Sequence, residues 1–237
     1  MNAQQLSTRL MRVAAHVPVN SVVADIGSDH AYLPCYLVLN GKARRAIAGE
    51  VVKGPYESAR SQVKQEQLED RIEVRLASGL DVVYAEDGVT AVTIAGMGGP
   101  LIRSILDAGP ERLIGVERLI LQPNVHAKAI REWAETNSWA ISEEEILKEN
   151  DKIYEILVLE PSKKPVRFSP AEFLMGPELM KQFSEVFQEK WQRECSQWKK
   201  IVHAMETTVE TPEIIEKKQE LLEKIKLVEE VLHGENT

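Results

Sequence analysis

Two carboxylates flank a lone glycine in the run Ala24-Asp25-Ile26-Gly27-Ser28-Asp29-His30-Ala31-Tyr32. The run opens on the end of a compact β-branched stretch, Ser21 to Asp25, and leads into a helical pattern from about Tyr32. It therefore lies at the carboxyl end of a strand, where open α/β sheets bind their ligands. A dinucleotide site would carry G-x-G-x-x-G here, because a pyrophosphate needs backbone amides brought close at a helix N-terminus. Asp25 and Asp29 would repel a pyrophosphate, and they suit an ammonium or a sulfonium instead. Gly27 supplies the turn, Ser28 a hydroxyl, and the helix that follows offers free amides to a carboxylate. S-adenosylmethionine carries all three groups.

The next strand ends extend the pattern. Glu50 closes a second apolar run, Ala46 to Glu50, where a carboxylate can take both hydroxyls of a ribose. Ala77-Ser78-Gly79-Leu80-Asp81 follows the third run, and its Ser78 and Asp81 can sit beside an adenine ring. The fourth run, Ala91 to Ala95, ends in Gly96-Met97-Gly98-Gly99-Pro100. Such a glycine cluster costs conformational entropy, so Gly96 and Gly98 imply positive φ or a flat ligand close to the backbone. An Asn/Asp-Pro-Pro-aromatic signature, expected of exocyclic-amine methyltransferases, is missing there. The fifth run ends Gln122-Pro123-Asn124, which places two amides over the same cleft. Near the N-terminus, Arg9, Arg12 and His16 make a basic helix face, which a large polyanionic substrate would use and a small one would not.

These motifs need a scaffold, and the apolar patterning provides one. Up to Glu160, short apolar runs alternate with helical stretches, which argues for right-handed βαβ units and a mostly parallel sheet. The last two runs, Ala140 to Lys148 and Ile153 to Leu159, lack an intervening helix and predict an antiparallel pair at one edge. The fold class is thus α/β, a Rossmann-like doubly wound sheet with a terminal antiparallel hairpin. Residues 1–160 form the cofactor-binding domain, 161–176 a Pro- and Lys-bearing linker, and 177–237 a coiled-coil helical hairpin broken at about Glu206 to Glu210. Thirty residues of helix would reach about 45 Å. Trp191 and Trp198 belong to its packing seam, and Lys199 and Lys200 lie on its surface.

Composition narrows the function classes. The chain of 237 residues is 43% hydrophobic, enough for a full core, and has a formal net charge of −8, which disfavours nonspecific adhesion to DNA or to an anionic membrane. Residues 1–13 place Arg9 and Arg12 where a signal peptide needs its apolar run, and no stretch is apolar enough to span a bilayer, so a cytoplasmic protein is expected. Cys35 and Cys195 match no metal-ligand spacing and read as buried small hydrophobes in a reducing compartment; no metal site is expected.

Taken in order, Val23 to Pro34, the strand-end Glu50, Ala77 to Asp81, Ile94 to Gly99, Leu121 to Asn124 and the opening Leu6-Ser7-Thr8-Arg9-Leu10 resemble the bacterial TrmK family. The resemblance covers the whole chain, including the hairpin. It implies methylation by S-adenosylmethionine of N1 of adenine 22 in tRNA, with Asp25, Gly27, Ser28, Glu50, Ser78, Asp81, Gly96 and Gly98 serving the cofactor. Arg9, Arg12, Gln122, Asn124, Lys199 and Lys200 would serve the tRNA. The product ring is cationic, so Asp29 is a candidate to stabilise the transition state, or else to hold the cofactor's ammonium. His30 is read as a positioning group, and Tyr32 and Met97 as stacking partners for either adenine. No obligate protein partner is implied. Two other readings stay open: a methyltransferase for a small molecule or protein whose hairpin dimerises, and a silent module that keeps the fold as a scaffold.

Overall fold

The computed structural model describes residues 3–206 and 211–234. It divides into two compact units, Met1–Val166 and Arg167–Thr237.

The first unit is built on a sheet of seven strands in the order β3-β2-β1-β4-β5-β7-β6. The strands are β1 Ser21–Ile26, β2 Ala43–Glu50, β3 Ile72–Leu76, β4 Ala91–Gly98, β5 Arg118–Val125, β6 Trp139–Glu149 and β7 Lys152–Pro161. Between them lie α2 Tyr32–Leu39, α3 Lys53–Gln65, α4 Gly99–Ala108 and α5 Lys128–Thr136, and α1 Thr8–His16 precedes β1. β1 to β5 pair in parallel, and β7 runs antiparallel between β5 and the edge strand β6. The expected edge hairpin is therefore present, with its second strand inserted next to β5. Strand order reverses between β1 and β4, and that switch point is where an open sheet offers a crevice.

Burial follows residue type. β1 is buried along its whole length, as a central parallel strand between two helix layers should be. α2 is apolar on nearly every side, burying Leu33, Pro34, Cys35, Leu37 and Val38, so packing fixes it where no side chain caps it. One hydrophobic cluster on each face of the sheet forms the core; the first runs from Val22 to Leu159, the second from Ala3 to Ile156. Beneath the edge hairpin, Arg131 of α5 is wholly buried and donates to Glu144 of β6 at 2.7 Å and to Glu155 of β7 at 2.7 Å.

The second unit has the expected pair of long helices but departs from the expected linker. Its boundary falls inside 161–176, but Pro170–Met175 is a helix, α6. Ser169 caps it and Glu172 bonds back to the Ser169 amide. That capping box, with Pro at the first helical position, stands where the sequence reading put a linker. α7 Pro177–Gln182 then ends at Phe183, whose φ of 45° is left-handed, and Ser184 caps a new helix, α8 Glu185–Met205. The apolar spacing runs across this break because Phe183 and Phe187 still meet, with ring centroids 5.7 Å apart. α9 Pro212–Leu232 completes the pair, while most of the expected break at Glu206 to Glu210 lies outside the described residues. Each long helix has 21 residues, so the arm spans about 32 Å rather than 45 Å. Trp191 is buried, with its ring against those of Phe187 and Trp198 on the same face of α8. Both cysteines are buried and free.

Candidate active site

The crevice at the β1/β4 switch point is a cavity of about 310 Å³ lined by Arg9, Leu10, Asp25, Gly27, Ser28, Asp29, Tyr32, Leu33, Ala95, Gly96, Met97, Asn124 and Tyr154. The first, fourth and fifth strand ends thus meet around one space. Larger open grooves lie elsewhere, one between α3 and β3, but they sit away from the strand ends.

Asp25 is the floor. It is buried, and its two oxygens accept from Ser28 Oγ and Thr93 Oγ1, each at 2.6 Å. Burial pushes its pKa up, against the pull of those two hydroxyls. Gly27 is favoured by its backbone, and a side chain there would also displace the end of Met97. Its φ is +71°, and a Cβ there would lie 2.2 Å from Met97 Cε. The amides of Gly27 and Ser28 are already spent on Gly49 O, at 2.9 and 3.1 Å. Met97 therefore reaches across from β4 to Gly27 and joins the two walls.

The turn after Ser28 is strained. Asp29, His30 and Ala31 have φ of 40°, 67° and 55°, three successive non-glycine residues in the left-handed region. Such backbone persists only where its surroundings hold it, and it concentrates at functional sites. Part of the hold is Glu50, which accepts from the Asp29 amide at 2.5 Å. Glu50 is buried at the end of β2, and desolvation raises its pKa, helped by the nearby Asp25 and Asp29 and opposed by the Asp29 amide and His30. The Asp29 side chain is 78% exposed at the cavity mouth, as a group meeting an incoming base or ammonium would be. His30 lies outside the lining and stacks on Tyr32 at 5.3 Å, so it covers one face of that ring.

Ser78 and Asp81 are exposed, Ser78 just before and Asp81 within the 3-10 turn Gly79–Val82, beyond the enclosed part of the cavity. Arg75, unremarked in the sequence reading, anchors this shelf: it donates to Val82 O at 2.7 Å and to both oxygens of Asp87 at 2.6 and 2.8 Å. Of the glycine cluster, Gly96 has a φ of +81°, and a Cβ at Gly99 would strike His126 O at 2.0 Å. Gly98 has φ −74° and room for a side chain, so nothing in the backbone requires glycine there.

The basic face of α1 divides. Arg12 pairs with Glu145 at 2.5 Å, and His16 lies between Glu143 and Glu145 at 3.3 and 3.0 Å. The Arg12 charge is matched, and the His16 ring engaged, by carboxylates of β6, which a pattern confined to α1 could not reveal. Arg9 instead turns into the cavity, donates to Gln122 and lies 5.3 Å over the Tyr154 ring. Tyr154, near the start of β7, has no motif around it in the sequence. Gln122 is buried, and its amide serves the protein instead of pointing into the cleft as expected. On the second unit, Lys199 pairs with Glu229 at 2.6 Å, while Lys200 is exposed and pairs with no carboxylate among the described residues.

The donor set fits S-adenosylmethionine: acidic groups for its cations, a positive-φ glycine where backbone and ligand meet, and a carboxylate at the second strand end for a ribose. Glu50→Ala is expected to weaken cofactor binding by about 1.5–3 kcal/mol, the worth of a charge-assisted hydrogen bond. Calorimetry checks it; an unchanged dissociation constant would leave Glu50 as a brace for Asp29 only. A raised carboxylate pKa means protonation begins early as pH falls. Cofactor affinity should therefore decline on the acid side from above the ordinary carboxylate value of about 4.3, and Glu50→Gln should flatten that decline.

The comparisons agree with this geometry. Residues 23–230 match the family model for TrmK, tRNA (adenine(22)-N(1))-methyltransferase. The chain is 45% identical over 239 residues to the tRNA (adenine(22)-N(1))-methyltransferase of Bacillus subtilis strain 168, covering 99% of this chain and 100% of that one. The crystal structure of the B. subtilis enzyme superposes with a TM-score of 0.91 at 44% identity, over 96% of this chain and 99% of that one. A putative tRNA (m1A22) methyltransferase of Streptococcus pneumoniae, solved with S-adenosyl-L-methionine, gives 0.88 at 43% identity, over 97% and 100%. This chain belongs to the TrmK family of tRNA (adenine(22)-N(1))-methyltransferases.

Proposed function

We propose that this chain transfers the methyl group of S-adenosylmethionine to N1 of adenine 22 in tRNA. The observation that carries the reading is the single cavity at the switch point, with Asp25, Gly27 and Asp29 on one wall and Gly96, Met97 and Asn124 on the other. When bound, the cofactor supplies an electrophilic methyl group on a sulfonium. The protein's task is then to align the acceptor. Adenine N1 has an in-plane lone pair and needs no deprotonation, so placement outweighs proton transfer. In a paired duplex N1 is occupied, so the base enters unpaired or flipped out.

Asp29, at the mouth of the cavity, is the carboxylate that favours the cationic ring as it forms. Asp25 and Glu50 hold the cofactor side, with Asp25 fixed by Ser28 and Thr93. Tyr32 and Met97 offer surfaces for a ring, Tyr32 on the face that His30 leaves open. No helix among the described residues is long and apolar enough to cross a membrane; the protein works where tRNA is, in the cytoplasm. The test is mass spectrometry of nucleosides, and of ribonuclease fragments that locate the label, from tRNA incubated with the protein and labelled cofactor. Label in 1-methyladenosine at position 22 is expected; label in another nucleoside, or in none, would overturn the reading.

A further inference from the structure

We infer that Gln122 is a positioning residue for methyl transfer, one that fixes the acceptor wall of the cavity without touching the base. Its side chain is completely buried, and both ends of its amide are engaged. Oε1 accepts from the Gly96 amide at 3.0 Å and from Arg9 Nη1, while Nε2 donates to Pro123 O at 2.8 Å. Asn124 Nδ2 completes the arrangement by donating to Gly96 O at 2.7 Å. Both backbone polar groups of Gly96 are thus held by side chains from β5.

They are held at the place where the sheet cannot do it. The β4–β5 register shifts between Ala95 and Met97, and Gly96 has a φ of +81°. Backbone groups that lose their ladder partners need others, and the two β5 amides supply them. Burying a carboxamide is costly unless it is satisfied, so packing alone would favour an apolar residue at this position. What the amide secures lies beside the reaction. Met97 follows Gly96 and extends to within contact of Gly27, so a shift of Gly96 moves the wall facing the cofactor. The same oxygen holds the Arg9 guanidinium in the cavity over Tyr154.

This role rests on the methyltransferase reading above, and wild-type methylation of the same tRNA is the control that separates the two. Gln122→Met keeps the volume and removes all the bonds. It is expected to lower kcat by about 100-fold, the effect of an ångström-scale misplacement, with cofactor affinity and KM for tRNA within about threefold of wild type. Gln122→Glu keeps the acceptor for Gly96 and Arg9 but opposes Pro123 O, and should fall between. Asn124→Ala, at an exposed position that does not threaten folding, should lower kcat in the same direction by a smaller factor. A raised KM with unchanged kcat would mean a direct contact with tRNA and overturn the inference. If Gln122→Met fails to fold, Asn124→Ala decides, and an unchanged kcat there overturns it. An inactive wild type would instead sink the function reading.

Discussion

Replacing Arg131 with methionine is expected to cost the fold about 3–5 kcal/mol, the loss seen when one partner of a buried ion pair is removed. Arg131 is wholly buried on α5, with Glu144 and Glu155 buried against it from β6 and β7. Its own pKa is raised: burial opposes the charge, and the two carboxylates outweigh that opposition. Taking the guanidinium away strands two carboxylates in the interior, and the edge hairpin loses its tie to the helix layer. Denaturant unfolding measures the effect. Replacing the set together, with Glu144→Leu and Glu155→Leu added, should recover most of the loss, since apolar groups of similar size need no pairing. A single variant as stable as wild type would mean that the hairpin is held by its ladder and core alone.

That triad also marks what could be read from the sequence. The strand-end chemistry was legible because each motif is local: Asp25 to Asp29, Glu50 and the glycines follow apolar runs that announce their own strands. Arg131, Glu144 and Glu155 are spread over three elements, and each alone reads as an ordinary surface charge. The same holds for Arg12 and His16, whose partners on β6 lie more than a hundred residues away. Gln122 was found as a residue and misjudged in direction. Its position at a strand end was visible, but the register shift that leaves the Gly96 peptide without ladder partners is a property of two paired strands. Tyr154 had no local signal at all. The break at Phe183 was hidden for another reason: aromatic packing continued across it, so apolar spacing persisted where the backbone did not.

A chain ending at Val166 should fold, bind S-adenosylmethionine as the full chain does, and lose most of its activity on tRNA. The first half of the expectation follows from the core, since both hydrophobic clusters of the sheet are complete before Val166. So is every residue that lines the cavity. The second half follows from the size of the substrate, because a cleft of about 310 Å³ is far smaller than a folded tRNA and leaves most of the RNA unheld. The helical unit offers a further surface, yet it is not broadly cationic: residues 167–237 carry ten Lys and Arg against fourteen Glu. Lys217 and Lys224 both pair with Glu220, whose carboxyl they hold down at about 2. The contact must therefore be local, centred on groups such as Lys200. Its salt dependence should be shallow, with a slope of about 0.9 per lysine if the RNA behaves as B-DNA does. Methylation assays across a salt series, on full and shortened chains, measure both quantities. Full tRNA methylation by the shortened chain would refute the gripping role; if the full chain also sedimented as a dimer and the shortened one as a monomer, the hairpin would be a dimerisation arm. Loss of cofactor binding on shortening would show that residues 1–166 do not form a complete cofactor site.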